Sequence, residues 1–444
     1  MCMKTHDFPG GVHPRSPSAE GKPVAQKAIQ IMPAPECVVI PMLRITGAQL
    51  TPLVKRGDFV RLGQKIGDSD AVNSAPVHAS VSGKVIAVEA RPHPSGKRTI
   101  PAVVIVNDHQ DAWDDSCVPP QNPDDLSGEE LSRIAREKGV VGLGGATFPT
   151  HIKLNPSKPA DVLIINGSEC EPLLSADYRL MVERADAIID GAQFARRSVG
   201  AKRVYVGIEG DSPEAIRSVK AAAKGTDIEI VPLSARYPQG GERQLIYTLT
   251  GRKLSMADLP SDAGCALMNV GTTVALHRAV REGRPLIDRV VTVAGGAVRE
   301  PANLLARIGT SVGDLIEYCG GYREGGAGKL IAGGPMMGVA LASDEVPVIA
   351  GTSGVLALTA DEALVPEPSA CMRCGRCHYV CPMNLQPYAI DAAIAVDNVG
   401  LAARFNAHEC IECGACVYIC PARRHLLQNI RLAKKLVRGS AATR

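Results

Sequence analysis

Eight cysteines near the C-terminal end of the chain carry its clearest chemistry. They read Cys371-x-x-Cys374-x-x-Cys377-x-x-x-Cys381-Pro382 and then Cys410-x-x-Cys413-x-x-Cys416-x-x-x-Cys420-Pro421, the same phrase written twice. Thiolates three apart on a tight turn can hold three corners of one cubane, and the fourth, before proline, reaches the neighbouring cluster. The spacing therefore predicts two [4Fe–4S] clusters, one on Cys371, Cys374, Cys377 and Cys420, the other on Cys410, Cys413, Cys416 and Cys381. Zinc ribbons use two CxxC pairs, not a repeated triplet with a trailing Cys-Pro. Disulfides need an oxidising compartment, and the sequence carries no signal peptide to deliver the chain there. Gly375 and Gly414, one in each run, let backbone N–H groups approach the sulfur atoms, and such hydrogen bonds tune potential.

A second group of residues is glycine-rich and polar. The loop Gly142-Leu143-Gly144-Gly145-Ala146-Thr147-Phe148-Pro149-Thr150-His151-Ile152-Lys153 lets backbone N–H groups approach a phosphate, and its lysine supplies charge. It follows a helical segment, so it is not the dinucleotide fingerprint, which lies between a strand and a helix. Taken alone it reads equally as a tight turn. Three more segments share its character: Asn166-Gly167-Ser168-Glu169-Cys170-Glu171-Pro172, Tyr237-Pro238-Gln239-Gly240-Gly241-Glu242 and Met268-Asn269-Val270-Gly271-Thr272-Thr273.

The elements that must position these turns follow an α/β pattern. Residues 161–166 form an unbroken apolar run, the mark of a buried parallel strand. A helix is predicted over 176–199, a strand over 203–208, a helix over 213–223 and a strand over 228–231. In such sheets ligands sit outside the carboxyl ends of the strands, where these turns fall. The set predicts a nucleotide or flavin pocket. Upstream, Ser127 and Glu130 form a capping box for a helix ending at Lys138, with Gly139 as its stop.

The remaining chain divides by composition. Residues 1–30 read as an extended arm, with Phe8-Pro9-Gly10-Gly11-Val12-His13-Pro14 of undefined chemistry and His13 a packing or turn residue. Residues 31–108 read as all-β, with strands at 37–40, 84–88 and 102–106. Residues 109–127 are a Pro-broken linker, 127–282 the α/β domain, and 285–340 a strand–helix module. Gly333-Gly334-Pro335-Met336-Met337-Gly338 is a tight turn with its methionines in the core. Residues 361–426 hold the cysteine runs, and 427–444 form a basic tail read as a solvated helix face.

Composition excludes several classes. The 444 residues suggest about three domains, and a net charge of +3 with 3% aromatics gives no nucleic-acid surface. No apolar run of about 18 residues occurs to span a bilayer. Cys2, Cys37, Cys117, Cys170, Cys265 and Cys319 show no ligand spacing and read as small buried hydrophobes.

Several of these pieces resemble known modules. Residues 52–67 with 76–85 resemble the barrel-sandwich hybrid folds of lipoyl and biotinyl carriers, without the paired lysine those carriers modify. The loop at 142–153 resembles the flavin loop of the complex I NADH-binding subunit; this likeness implies non-covalent FMN held by Gly142, Gly144, Gly145 and Lys153. Asn166, Glu169 and Glu171 resemble that family's acidic flavin and NADH segment, Tyr237, Gly240 and Glu242 its third segment, Asn269 and Thr272 its fourth. Leu143 stands where that family has arginine, and Ser168 and Gly241 where it has acidic residues. The module at 285–340 resembles the soluble-ligand-binding β-grasp (SLBB) domain, and the cysteine runs a two-cluster ferredoxin.

The order of these modules resembles the RnfC family of the Rnf electron transport complex over nearly the whole chain. The resemblance implies a multidomain fold of α/β plus β units and NADH as substrate at FMN. It implies two clusters leading toward ferredoxin, or the reverse, and coupling to an ion gradient through partners. Those partners are other subunits of a membrane complex, including an iron–sulfur subunit, with no nucleic acid. The chain would sit peripherally on the cytoplasmic face of the bacterial inner membrane, held by them. Hydride transfer between cofactors needs no proton-transfer side chain, so no catalytic residue is assigned. An electron relay without its own flavin remains the alternative, and a quinone-linked relative a third.

Overall fold

The computed structural model describes residues 6–14, 22, 24–96 and 99–442. Cys2 lies outside them.

The α/β unit is built on four parallel strands in the order Ile228–Leu233, Arg203–Glu209, Val162–Gly167, Cys265–Asn269. The unbroken apolar run at 162–165 has a direct cause: both faces are covered. Leu163 and Ile165 pack with the helices Gly128–Glu137, Ala185–Val199, Pro213–Ala222 and Val270–Arg281. Val162 and Ile164 pack on the other face against Leu245 and Ile246 of the helix Glu242–Thr250. Alternate side chains serve opposite cores, so neither set can be polar.

The helix predicted over 176–199 is two helices, Ala176–Glu183 and Ala185–Val199, broken at Arg184 (φ −132°, ψ 29°). The halves serve different partners. Ala176 and Leu180 pack on Val290 of the neighbouring sheet. Gly191 lies so close to the helix Val270–Arg281 that a Cβ there would stand 2.1 Å from the Thr273 carbonyl oxygen. One straight helix cannot meet both surfaces.

The β-rich N-terminal unit packs two small antiparallel sheets around Val38, Ile40, Ile66, Val85, Val103 and Ile105. The module predicted over 285–340 is larger than that reading. Its six-stranded sheet takes in Ile29–Ile31 from the arm and, near its centre, Gly354–Leu358. The latter pairs in parallel with Asp288–Ala294 and antiparallel with Lys329–Ala332. Four apolar residues between Gly354 and Thr359 carry no periodicity, and only these non-local partners make them a strand.

The basic tail is solvated on one face, where Arg431, Lys435 and Arg438 are exposed as expected, and packed on the other. The helix Leu426–Ala442 buries Leu426, Ile430 and Ala433 against Ile390 and Ile394. Lys434, 6% exposed, donates to the Cys410 carbonyl at 2.7 Å and to Glu412 at 2.6 Å. Buried Asp391 ties this helix down by accepting from Arg424 at 2.7 Å and from Asn429. Replacing Asp391 with alanine removes the acceptor of both Arg424 and Asn429, and losing hydrogen bonds to a charged group costs about 1.5–3 kcal/mol. A lower urea midpoint for bleaching of the iron–sulfur absorbance is the expected reading.

Candidate cofactor sites

The four polar turns do converge. They line one cavity of about 420 Å³ at the carboxyl edge of the parallel sheet, within the size range of cofactor pockets. Gly142, Gly144, Lys153, Asn166, Glu169, Glu171, Tyr237, Gly240, Glu242, Asn269 and Thr272 all stand on its wall, whereas Gly145 does not.

Hydrogen bonds lock the turns to one another. Thr272 Oγ1 accepts from the Leu143 N–H at 2.9 Å, fixing the glycine loop to the start of a helix. Asn166 donates to the Gly240 carbonyl at 2.9 Å and accepts from the Ser168 N–H at 3.0 Å. Asn269 caps its helix by accepting from the Gly271 N–H at 2.9 Å and donates to Asp177 at 2.6 Å. A Cβ on Gly240 would stand 2.6 Å from the Ser168 carbonyl oxygen, so that stretch of wall has no room for a side chain.

The two glutamates of the second turn are held by backbone N–H groups. Glu169 accepts from Asp177 and Tyr178 at 3.1 and 3.0 Å, at the N-terminus of a helix. Glu171 accepts from Met336 and Met337 at 2.9 and 2.8 Å, and burial pushes it up to about 7. Burial, then the Glu169 charge, push Asp177 up as well. Lys153 donates to the Leu267 carbonyl at 3.1 Å and lies 3.9 Å from Glu242. Burial holds its amine below the usual lysine range, with Glu242 opposing.

Two further observations bear on what fills the cavity. The buried Ser168 Oγ and Gln244 Oε1 have no hydrogen-bond partner among the described residues, and both residues line it. A buried polar atom left unpaired costs about 1–3 kcal/mol, so the wall is built for a polar occupant. A lysine on the wall beside the backbone of a glycine-rich loop suits a phosphate.

Sequence reasoning missed several wall residues, Gln244 and the following among them. Asp177 is the second residue of a helix and carried no motif. Met337, expected in the core, is 48% exposed and lines the cavity, because Glu171 holds its turn by the backbone; Met336 does pack, beside Tyr237 and Cys413. Ile411 and Cys413 reach the wall from the second cysteine run, which no local signal could reveal.

The eight cysteines line two separate small cavities. One is bordered by Cys371, Cys374, Cys377 and Cys420, the other by Cys381, Cys410, Cys413 and Cys416. No group of His, Cys, Asp or Glu among the described residues could hold a single metal ion. A cubane makes a different demand, since it spreads four thiolates over its corners. Gly375 and Gly414 (φ +73° and +77°) start the short helices Arg376–Tyr379 and Ala415–Tyr418, a conformation that glycine adopts without strain. The Leu385 and Glu412 N–H groups donate to Cys381 and Cys410 sulfur, each at 3.3 Å. Burial pushes the Cys413 thiol up to about 12 and raises Cys416 too; such buried sulfurs become thiolates only beside a metal that takes up their charge. The surroundings differ. The first quartet is edged by Arg373, Arg376 and Arg424, with Cys371 and Cys374 exposed. The second is edged by Met383, Leu385, Leu427 and Ile430.

A cavity walled by glycine-rich and polar turns at the carboxyl edge of a parallel sheet, sharing Cys413 with one of two cysteine-lined cavities, fits a flavin- and iron–sulfur-dependent electron-transfer protein. Comparison with known proteins agrees segment by segment: residues 135–278 match the Nuo51 FMN-binding domain, 6–110 the RnfC barrel sandwich hybrid domain, 290–340 the SLBB domain and 363–421 a 4Fe-4S dicluster domain. Among relatives, the chain is 46% identical to the C subunit of the proton-translocating ferredoxin:NAD(+) oxidoreductase complex of Clostridium ljungdahlii, over 86% of this chain and 82% of that one. It is 43% identical to the Na(+)-translocating counterpart of Acetobacterium woodii, over 98% of both. It is 41% identical to the C subunit of the ion-translocating oxidoreductase complex of Rhodobacter capsulatus, over 97% and 83%. The chain belongs to the RnfC family, the C subunits of ion-translocating oxidoreductase complexes. Its cofactors are FMN and [4Fe–4S] clusters.

Proposed function

We propose that the chain is the electron-input subunit of an ion-translocating ferredoxin:NAD+ oxidoreductase complex. It oxidises NADH and passes the electrons through two clusters toward ferredoxin, or runs the reverse. Bound FMN would take both electrons of a hydride and give them up singly, and each cluster carries one. In this reading Lys153 and the loop at Gly142 and Gly144 hold the phosphate, with Ser168 and Gln244 bonding the remaining polar edge. Asn166, Asn269 and Thr272 keep these groups in place through the bonds that join the turns. Cys381, Cys410, Cys413 and Cys416 would bind the cluster beside the cavity; Cys371, Cys374, Cys377 and Cys420 would bind the outer one.

One observation carries the reading: Cys413 belongs both to the cavity wall and to a cysteine quartet. Electrons leaving the cavity therefore meet the inner quartet first and the exposed quartet last. Within the complex the chain acts as its NADH dehydrogenase module, and ion translocation falls to membrane-embedded partners. No helix among the described residues is long and apolar enough to cross a membrane. We assign the chain to the cytoplasmic face of the inner membrane, held there by those partners.

Anaerobic purification followed by an NADH titration tests the function. About one FMN per chain should be present, and NADH should bleach first the flavin and then the iron–sulfur absorbance. A chain without FMN, whose clusters NADH leaves oxidised, would be a relay fed by another protein.

A further inference from the structure

The Phe8–Pro14 segment plays no part in the function above, yet it touches both halves of the electron path. On one side it forms a two-residue antiparallel bridge with the cavity wall: the Val12 N–H donates to the Tyr237 carbonyl and the Tyr237 N–H to the Val12 carbonyl, each at 2.8 Å. Arg236 reinforces that side by donating to the Phe8 and Gly10 carbonyls at 3.3 and 3.0 Å and pairing with Asp7 at 3.2 Å. On the other side the Gly11 N–H donates to the Val380 carbonyl at 2.8 Å, one residue before Cys381. The approach is close. A Cβ on Gly10 (φ +85°) would stand 3.0 Å from the Cys381 backbone. Tyr237 closes the same seam from within: its hydroxyl donates to the Cys413 carbonyl at 2.6 Å, and Val12, Tyr237, Cys413 and Ala415 form one buried cluster.

We propose that residues 8–13 are a positioning strap that sets the separation between the flavin cavity and the inner cluster. The inference rests on the function proposed above. The strap binds no cofactor. It clamps the backbone beside Tyr237 to the backbone beside Cys381, and both side chains belong to the sites between which an electron must pass. Two glycines meet this demand because the strap is bonded on both edges where the two units come closest. Gly10 and Gly11 both adopt positive φ, and a Cβ on Gly11 would stand 2.7 Å from the Tyr237 carbonyl oxygen.

The test is stopped-flow mixing of the anaerobic holoprotein with NADH, following flavin and cluster bleaching separately. Two variants are compared with the wild type: Gly10→Ala, which forces the strap off Cys381, and Arg236→Met, which loosens it from the cavity side without adding bulk. The expected result is an unchanged flavin phase and a cluster phase slowed about tenfold, as a small misplacement of reacting groups would cause. FMN and iron contents should stay at wild-type level, and dithionite should still reduce both clusters. Cluster phases at the wild-type rate in both variants would overturn the proposal. So would loss of FMN or iron from both, since the segment would then be needed only for folding. If NADH does not bleach the wild-type flavin, the function itself falls, and the strap with it.

Discussion

Replacing Cys381 with alanine should remove the cluster built mainly by the other cysteine run. Cys381 follows Cys371, Cys374 and Cys377 in sequence but lines the cavity of Cys410, Cys413 and Cys416. The expected iron content is about half that of the wild type, the outer cluster remaining. Its electronic effect should be larger than its chemical one. The inner quartet borders the flavin cavity, so its loss interrupts the route to the outer cluster. NADH should still bleach the flavin, while the remaining cluster stays oxidised on the same time scale and accepts electrons only from dithionite. Cys420→Ala gives the mirror result: the inner cluster still reduces with NADH, and transfer out of the chain stops. Iron analysis with anaerobic EPR of both variants decides the matter. If Cys381→Ala spares the cluster of Cys410, Cys413 and Cys416, the crossed assignment is wrong.

Lys153→Met should release FMN. The lysine is half-buried on the cavity wall, and its nearest carboxylate, on Glu242, is 3.9 Å away. That is too far for a good charge-assisted hydrogen bond, so the amine is left to donate to an anionic ligand, whose charge would in turn favour the protonated lysine. Hydrogen bonds to charged groups contribute about 1.5–3 kcal/mol, so FMN affinity should fall roughly 10- to 100-fold. The substitution also leaves Glu242 facing the phosphate without a neutralising cation. The measurement is FMN retained after desalting, with a reconstitution titration for the dissociation constant. The clusters are held elsewhere, so iron content should not change. Retention of FMN at wild-type affinity would take Lys153 out of the phosphate site.

Much of this architecture was legible because local pattern and tertiary role agree. The tandem cysteine spacing predicts the two quartets that line separate cavities. The strand at 162–165 announces two covered faces, and the Ser127–Glu130 capping box forms as predicted. What was not legible depends on neighbours distant in sequence. Arg184 breaks a helix because two surfaces pull its halves apart. Residues 354–358 become a strand only between two others. The C-terminal helix buries a lysine because a carbonyl and Glu412 await it. The cavity follows the same rule. Its four turns could be read from glycine and polar residues, whereas Met337, Ile411 and Cys413 reach it through packing between units and Asp177 from a helix that carries no motif.

The exposure of Cys371 and Cys374 bears also on how the protein ages in air. A cluster open enough to hand an electron to another protein is equally open to dioxygen, whereas the inner one sits among Leu385, Leu427 and Ile430. Oxidative damage should therefore begin at the outlet. A partly aerated sample would keep its flavin and its reaction with NADH toward small artificial acceptors, yet deliver nothing to its protein partners. Activity measured with a dye would then overstate the fraction of molecules still able to serve the complex.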